Sequence, residues 1–160
     1  MFADVLYACD EQWWRVHEEK TRETFKGERW TQDYSASKNY GIHRIGSENL
    51  PGLGRYDVIH QGGNSGYQAI NLAYLWGAQT IILLGLDCSK SPDGQAHWFG
   101  QHGPGLTQQQ PYDIWQASFP ALAQDLKDEG VRVINCSRQT ALTCFERMTL
   151  KDAINEYATK

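Results

Sequence analysis

The run Thr80-Ile81-Ile82-Leu83-Leu84-Gly85 constrains the fold more than any other part of the chain. A continuous apolar stretch of this length, rich in branched side chains and ended by glycine, suits a strand covered on both faces. Such strands form the centre of parallel sheets, and parallel sheets need crossover helices. The flanks supply them. Before the run, residues 67–76 carry apolar side chains at Ala69, Ile70, Leu72, Ala73, Leu75 and Trp76, a buried helix with Gly77 where a C′ glycine would end it. After it, residues 112–129 read as a helix interrupted or begun again at Pro120, and residues 131–135 as a second central strand.

The earlier part of the chain is read the same way. Residues 4–8 form a short strand and residues 11–20 a helix, with Trp13, Trp14 and Val16 on its packed face and Asp10 suited to the N-cap. Short strands are expected at 28–33, 42–45 and 57–60, a loop at 51–54, and a terminal helix at 150–157. No repeat or low-complexity linker divides the chain, so residues 1–160 are read as one α/β domain. Ligands in such sheets sit outside the carboxyl ends of the strands. Three turns therefore become expected neighbours: Cys9-Asp10, Gly85 to Cys88, and Cys136-Ser137.

Charge limits the partners. The formal net charge is −4 and no dense Lys/Arg cluster occurs, which argues against stable duplex nucleic-acid binding. A nucleotide-sized ligand stays compatible, since backbone amides hold phosphate without basic side chains. No apolar stretch reaches about 18 residues, so no membrane span is expected. The four cysteines include no CxxC pair, and they read as free thiols of a cytoplasmic protein. The sequence calls for no cofactor and no metal.

Three constellations can carry chemistry. The turn Gly62-Gly63-Asn64-Ser65-Gly66 opens a helix and can cradle an anion on its amides. It equally suits an ordinary glycine loop in which Asn64 or Ser65 caps the helix. Asp87, at the tip of the apolar strand, can hold a ribose hydroxyl or a metal, or cap the next turn; Asp10 offers the same choice. The segment from His97 to Gly103 lies in a long polar loop, 87–111, of a length that is often functional. Either His97 or His102 can act as general base or acid near neutral pH, with Trp98 and Phe99 as a lid or stacking surface. The alternative is a loop pinned by aromatic packing with solvent-facing histidines. Two histidines five apart can also ligate a metal, but no matching third ligand is evident.

Taken together, Gly63-Asn-Ser-Gly-Tyr67, Ile81-Ile-Leu-Leu-Gly-Leu-Asp87, His97-Trp-Phe-Gly100 and Val133-Ile-Asn-Cys-Ser137 resemble a known set. They are similar to the Rossmann-like bacterial sialyltransferases and to a related group of uncharacterised and pterin-pyrophosphokinase-like proteins, with the look of phage or prophage-encoded members. The resemblance spans about residues 64–145. It implies a Rossmann-like three-layer sandwich with a mostly parallel central sheet. It also implies a nucleotide or nucleotide-sugar ligand held by Ser65, Gly66, Gly85 and Asp87, and glycosyl transfer by a histidine base. The position of that base carries Gln101 here, with His102 one residue later and His97 just upstream. The resemblance also implies an earlier strand and a Gly-Asn-Gly-Pro-Ser type turn, which this sequence does not include, through truncation or replacement by a partner chain. These departures leave two expectations side by side. One is a transferase. The other is a non-enzymatic accessory protein that sequesters a nucleotide-derived ligand or binds a host protein. The first strand's edge can also pair with a second copy.

Overall fold

Five helices and eight short strands alternate along the residues described in a computed structural model, which are 3–97, 100, 102–106 and 110–158. The chain opens with β1 (Val5–Tyr7), α1 (Glu11–Thr24) and β2 (Glu28–Thr31). It continues through α2 (Tyr34–Tyr40), β3 (His43–Arg44), β4 (Gly46–Glu48) and β5 (Val58–His60). Then come α3 (Ser65–Leu75), β6 (Thr80–Leu83), α4 (Tyr112–Asp128), β7 (Arg132–Asn135), β8 (Glu146–Arg147) and α5 (Leu150–Ala158). The α/β class follows the alternation of periodicities read from the sequence.

The sheet is not one continuous ladder. Among the described residues it divides into β1-β2-β3, β4-β5 and β6-β7-β8, and every pairing is parallel. The expected central position of the Thr80 strand needs correction. Among the described residues β6 is an edge strand that pairs with β7 alone, and β7 is the central member of its ladder.

Helices cover both faces of the C-terminal ladder. On one face Ile81, Leu83 and Val133 pack with Tyr67, Ile70, Phe119, Leu122 and Leu126 of α3 and α4. On the other, Ile82 and Ile134 meet Ala153 and Tyr157 of α5. Tyr67, Phe119 and Phe145 meet edge to face at 5.3 and 6.0 Å, the geometry their ring quadrupoles favour. The N-terminal part has its own cluster of Ala8, Trp14, Ala36 and Ile42. α3 joins the parts, because its Leu72 packs with Ile45 and Ile59 while its Tyr67 and Ile70 pack with β6 and α4. This arrangement is compatible with three layers.

Local chemistry explains most element ends. Asn64 accepts from the Tyr67 amide at 2.9 Å and Asp33 from the Ala36 amide at 2.8 Å, two side-chain N-caps. Asp10 occupies the N-cap position of α1 but makes no capping hydrogen bond. Pro120 neither interrupts nor restarts α4, which runs continuously through it. The sequence reading missed α2, a seven-residue helix rich in Ser, Tyr and Asn, and the two-residue β8.

Candidate functional site

The carboxyl ends of β6 and β7 are tied together by a buried polar network. Leu86 donates its amide to Ser137 Oγ at 2.8 Å, and Ser137 is only 3% exposed. Asn135, fully buried, accepts from the Ser137 amide at 3.0 Å and donates to Thr140 Oγ1 at 3.2 Å. Thr140 in turn donates to the Leu86 carbonyl at 2.8 Å. Each buried polar group thus has a partner, which holds the two strand tips in fixed relation.

Above this network lies a cavity of about 800 Å³. Gly85 and Asp87 line it from the tip of β6, and Cys136, Ser137 and Arg138 from the tip of β7. Arg147 of β8 and residues 148–150 at the start of α5 close the third side. Gly85 has φ +68°, a left-handed conformation that turns the chain away and leaves the space beside it open. Arg147 is positioned by donating to the Ser137 carbonyl at 2.7 Å. Arg138 is exposed and makes no ion pair among the described residues. Two guanidinium groups near the first turn of α5 give this cavity a positive side within an acidic protein.

Two of the three expected neighbours therefore meet: the Gly85 to Cys88 turn and the Cys136-Ser137 turn. The Cys9-Asp10 turn does not join them. Cys9 is bound to the start of α3, its amide donating to Ser65 Oγ at 3.2 Å and its Sγ accepting from the same hydroxyl at 3.1 Å. Burial pushes the Cys9 thiol up to about 12, which makes it an inert packing group. Asp10 is exposed and lies outside the residues lining the cavity.

The Gly62–Gly66 turn is also not part of this cavity. A Cβ on Gly62, which has φ +51°, would sit 2.1 Å from the Tyr67 ring. One on Gly63 would lie 3.2 Å from Trp115, and one on Gly66 2.6 Å from Leu86. Ser118 of α4 donates to the Gly62 carbonyl at 3.0 Å. The glycines admit neighbouring side chains, and Leu86 stands between the turn and the tip of β6. Gly66 shares a smaller groove with Leu83, Leu84 and Leu86 at the end of β6, whereas residues 62–65 line neither that groove nor the large cavity. Asn64 caps α3, and Ser65 binds Cys9.

His97 opens on a neighbouring hollow. The His97 and His102 rings lie 4.4 Å apart. His97 lines a space of about 290 Å³ together with Asp87, Ser89, Ser91 and Asp93, so Asp87 is shared with the large cavity. His97 Nε2 is within hydrogen-bond distance of the Gln110 side-chain amide, at 3.1 Å. Partial burial, and then the nearby His102, lower the His97 pKa and favour the neutral ring. His102 also lowers the pKa of His17 on α1, after burial and Lys20. The long loop thus reaches α1, where Gly105 lies beside Val16. Trp98, Phe99 and Gln101 lie outside the described residues.

Sequence reasoning missed Arg147 and the start of α5. Arg138 directly follows the Cys136-Ser137 turn and was the available signal. Arg147 sits in a two-residue strand with no periodicity to reveal it. All four cysteines are free, and no group of three or more His, Cys, Asp or Glu suited to a metal occurs among the described residues. No helix among the described residues is long and apolar enough to cross a membrane. Comparisons with protein-family models, with curated proteins and with solved structures found no match to this chain.

Proposed function

We propose that this chain is a Rossmann-type binding protein for a small anionic ligand of the nucleotide or nucleotide-sugar class. The observation that carries the reading is the convergence of Gly85, Asp87, Ser137, Arg138 and Arg147 on one cavity at the carboxyl ends of adjacent parallel strands. Its volume of about 800 Å³ suits a nucleotide. In this reading Arg138 and Arg147 hold the phosphate, assisted by the first turn of α5. Asp87 accepts from ribose hydroxyls, and Leu84, Met148 and Leu150 give the base an apolar wall. The test is calorimetry with cytidine, uridine, adenosine and guanosine nucleotides. At least one binds, and Arg138→Ala with Arg147→Ala weakens it about tenfold or more. A folded protein that binds none of them refutes the reading.

Transfer chemistry is the second reading. It is favoured by His97, whose lowered pKa favours the neutral ring and whose hollow adjoins the cavity through Asp87. As general base His97 would take a proton from an acceptor hydroxyl, with His102 beside it. Binding without turnover is favoured by the cavity itself, whose lining includes no histidine. Asn in place of both His97 and His102 separates the two, abolishing turnover in a transferase and leaving nucleotide affinity unchanged in a binder.

A further inference from the structure

The open edge of β6 is built like the interior of a sheet. Its ladder to β7 uses the carbonyls of Gln79 and Leu83, which accept from the amides of Arg132 and Cys136. Strand geometry then turns the amides and carbonyls of Thr80 and Ile82 toward the other side, where no strand pairs with them among the described residues. Natural edge strands are protected by charge, proline, bulges or brevity. β8, the opposite edge of the same ladder, follows that rule with two charged residues, Glu146 and Arg147. β6, four residues long, has no charge and no proline. Ile81, Ile82, Leu83 and Leu84 follow one another, and Leu84 is 61% exposed.

A groove of about 270 Å³ runs along this edge. Four consecutive residues, 81–84, line it, which happens along the side of a strand and not over one face. Its other wall is α3, through Gly66, Ala69 and Ile70. α3 carries no charged residue in its eleven positions, whereas α1 carries many. Even its polar Gln68 and Asn71 are buried, as in an interior helix. Yet Ala69 is exposed over the groove. Two elements, one strand and one helix, thus show interior chemistry on surfaces that face the same space.

We propose that the β6 edge and the overhanging face of α3 form a docking site for one extended apolar strand of a separate polypeptide chain. The free backbone groups require a partner with amides and carbonyls at strand spacing, which only polypeptide supplies. The small side chain of Ala69, exposed over the groove, leaves room for a backbone beside the helix. A second copy of this chain is a poor fit. Its β6 carries the same overhanging α3, and edge-to-edge pairing would bring the two helices together. The groove adjoins the nucleotide cavity, with Leu84 lining both, but pairing at the β6 edge does not depend on that reading.

The test uses a fluorescent peptide with a core of roughly five valine and isoleucine residues flanked by lysines. A control peptide has the same side chains with alternate backbone nitrogens methylated. Binding is read by anisotropy on the full chain and on the exposed-site variants Ala69→Glu and Leu84→Lys, with circular dichroism confirming their fold. The peptide binds, and N-methylation or either variant weakens it by about tenfold or more. Three results overturn the proposal. One is no binding at about 1 mM peptide. Another is equal binding of the methylated control, which would mean an apolar contact without strand pairing. The third is a concentration-dependent dimer, by light scattering, that Leu84→Lys dissociates, which would make the occupant a second copy.

Discussion

Removing the Ser137 hydroxyl tests whether the floor of the cavity is held as described. Ser137→Ala deletes the acceptor of the Leu86 amide, a 2.8 Å hydrogen bond beside a residue 3% exposed. The methyl group of alanine fills nearly the same volume, so the cost comes from the orphaned amide, about 1–3 kcal/mol. For a domain of this size each kcal/mol moves the melting temperature by roughly 2–4 °C, so Tm falls by about 2–12 °C. Arg138→Ala, one residue along, removes an exposed side chain with no ion pair and changes stability by less than about 0.5 kcal/mol. Thermal and urea unfolding of both variants, beside nucleotide calorimetry, give a crossed pattern. Ser137→Ala is destabilised, while Arg138→Ala keeps its stability and loses affinity. A Ser137→Ala protein as stable as the parent refutes the network. An Arg138→Ala protein that is destabilised refutes the assignment of Arg138 to the ligand.

Asn71→Ala leaves two amides without their acceptor, those of Gly54 at 2.7 Å and His60 at 3.2 Å, and urea unfolding shows a loss of about 2–5 kcal/mol. Gly62→Ala combines a left-handed backbone with a clash against Tyr67, whose hydroxyl is pinned to the Gly52 carbonyl at 2.8 Å; unfolding shows a loss of about 2–4 kcal/mol. His97 and His17 both have pKa values below the usual histidine value, so the unfolded chain binds protons more readily. Their contribution is complete above the unfolded value of about 6.5 and is lost as pH falls through the lower folded values. Melting temperature therefore drops with acidification across that window, and Asn at both positions flattens the profile.

The α/β alternation was legible because its elements are long or strongly patterned. α3 and β6 announce themselves through an apolar helix, a capping Asn64 and a branched apolar run. The same run misled on position, because its composition is that of a central strand while its place is an edge. α2 was hidden because seven residues rich in Ser, Tyr and Asn have neither a strong apolar period nor high helix propensity. Half of the cavity was visible as two polar turns at strand ends. Arg147 was not, since it arrives by a two-residue pairing that only tertiary packing creates. The glycine turn shows the limit of local chemistry. Its sequence suits an anion cradle and a packing joint equally, and only the positions of Tyr67, Trp115 and Leu86 distinguish the two.

The division of the strands into three parallel groups has a bearing on how ligand occupancy would be felt. The cavity is floored and walled by β6, β7 and β8, held by a single group of pairings, and by the start of α5. β1, β2 and β3 share none of those backbone bonds. Occupancy should therefore slow amide exchange in the last group of strands while the first exchanges at its unliganded rate, so that one half of the molecule senses the guest and the other does not.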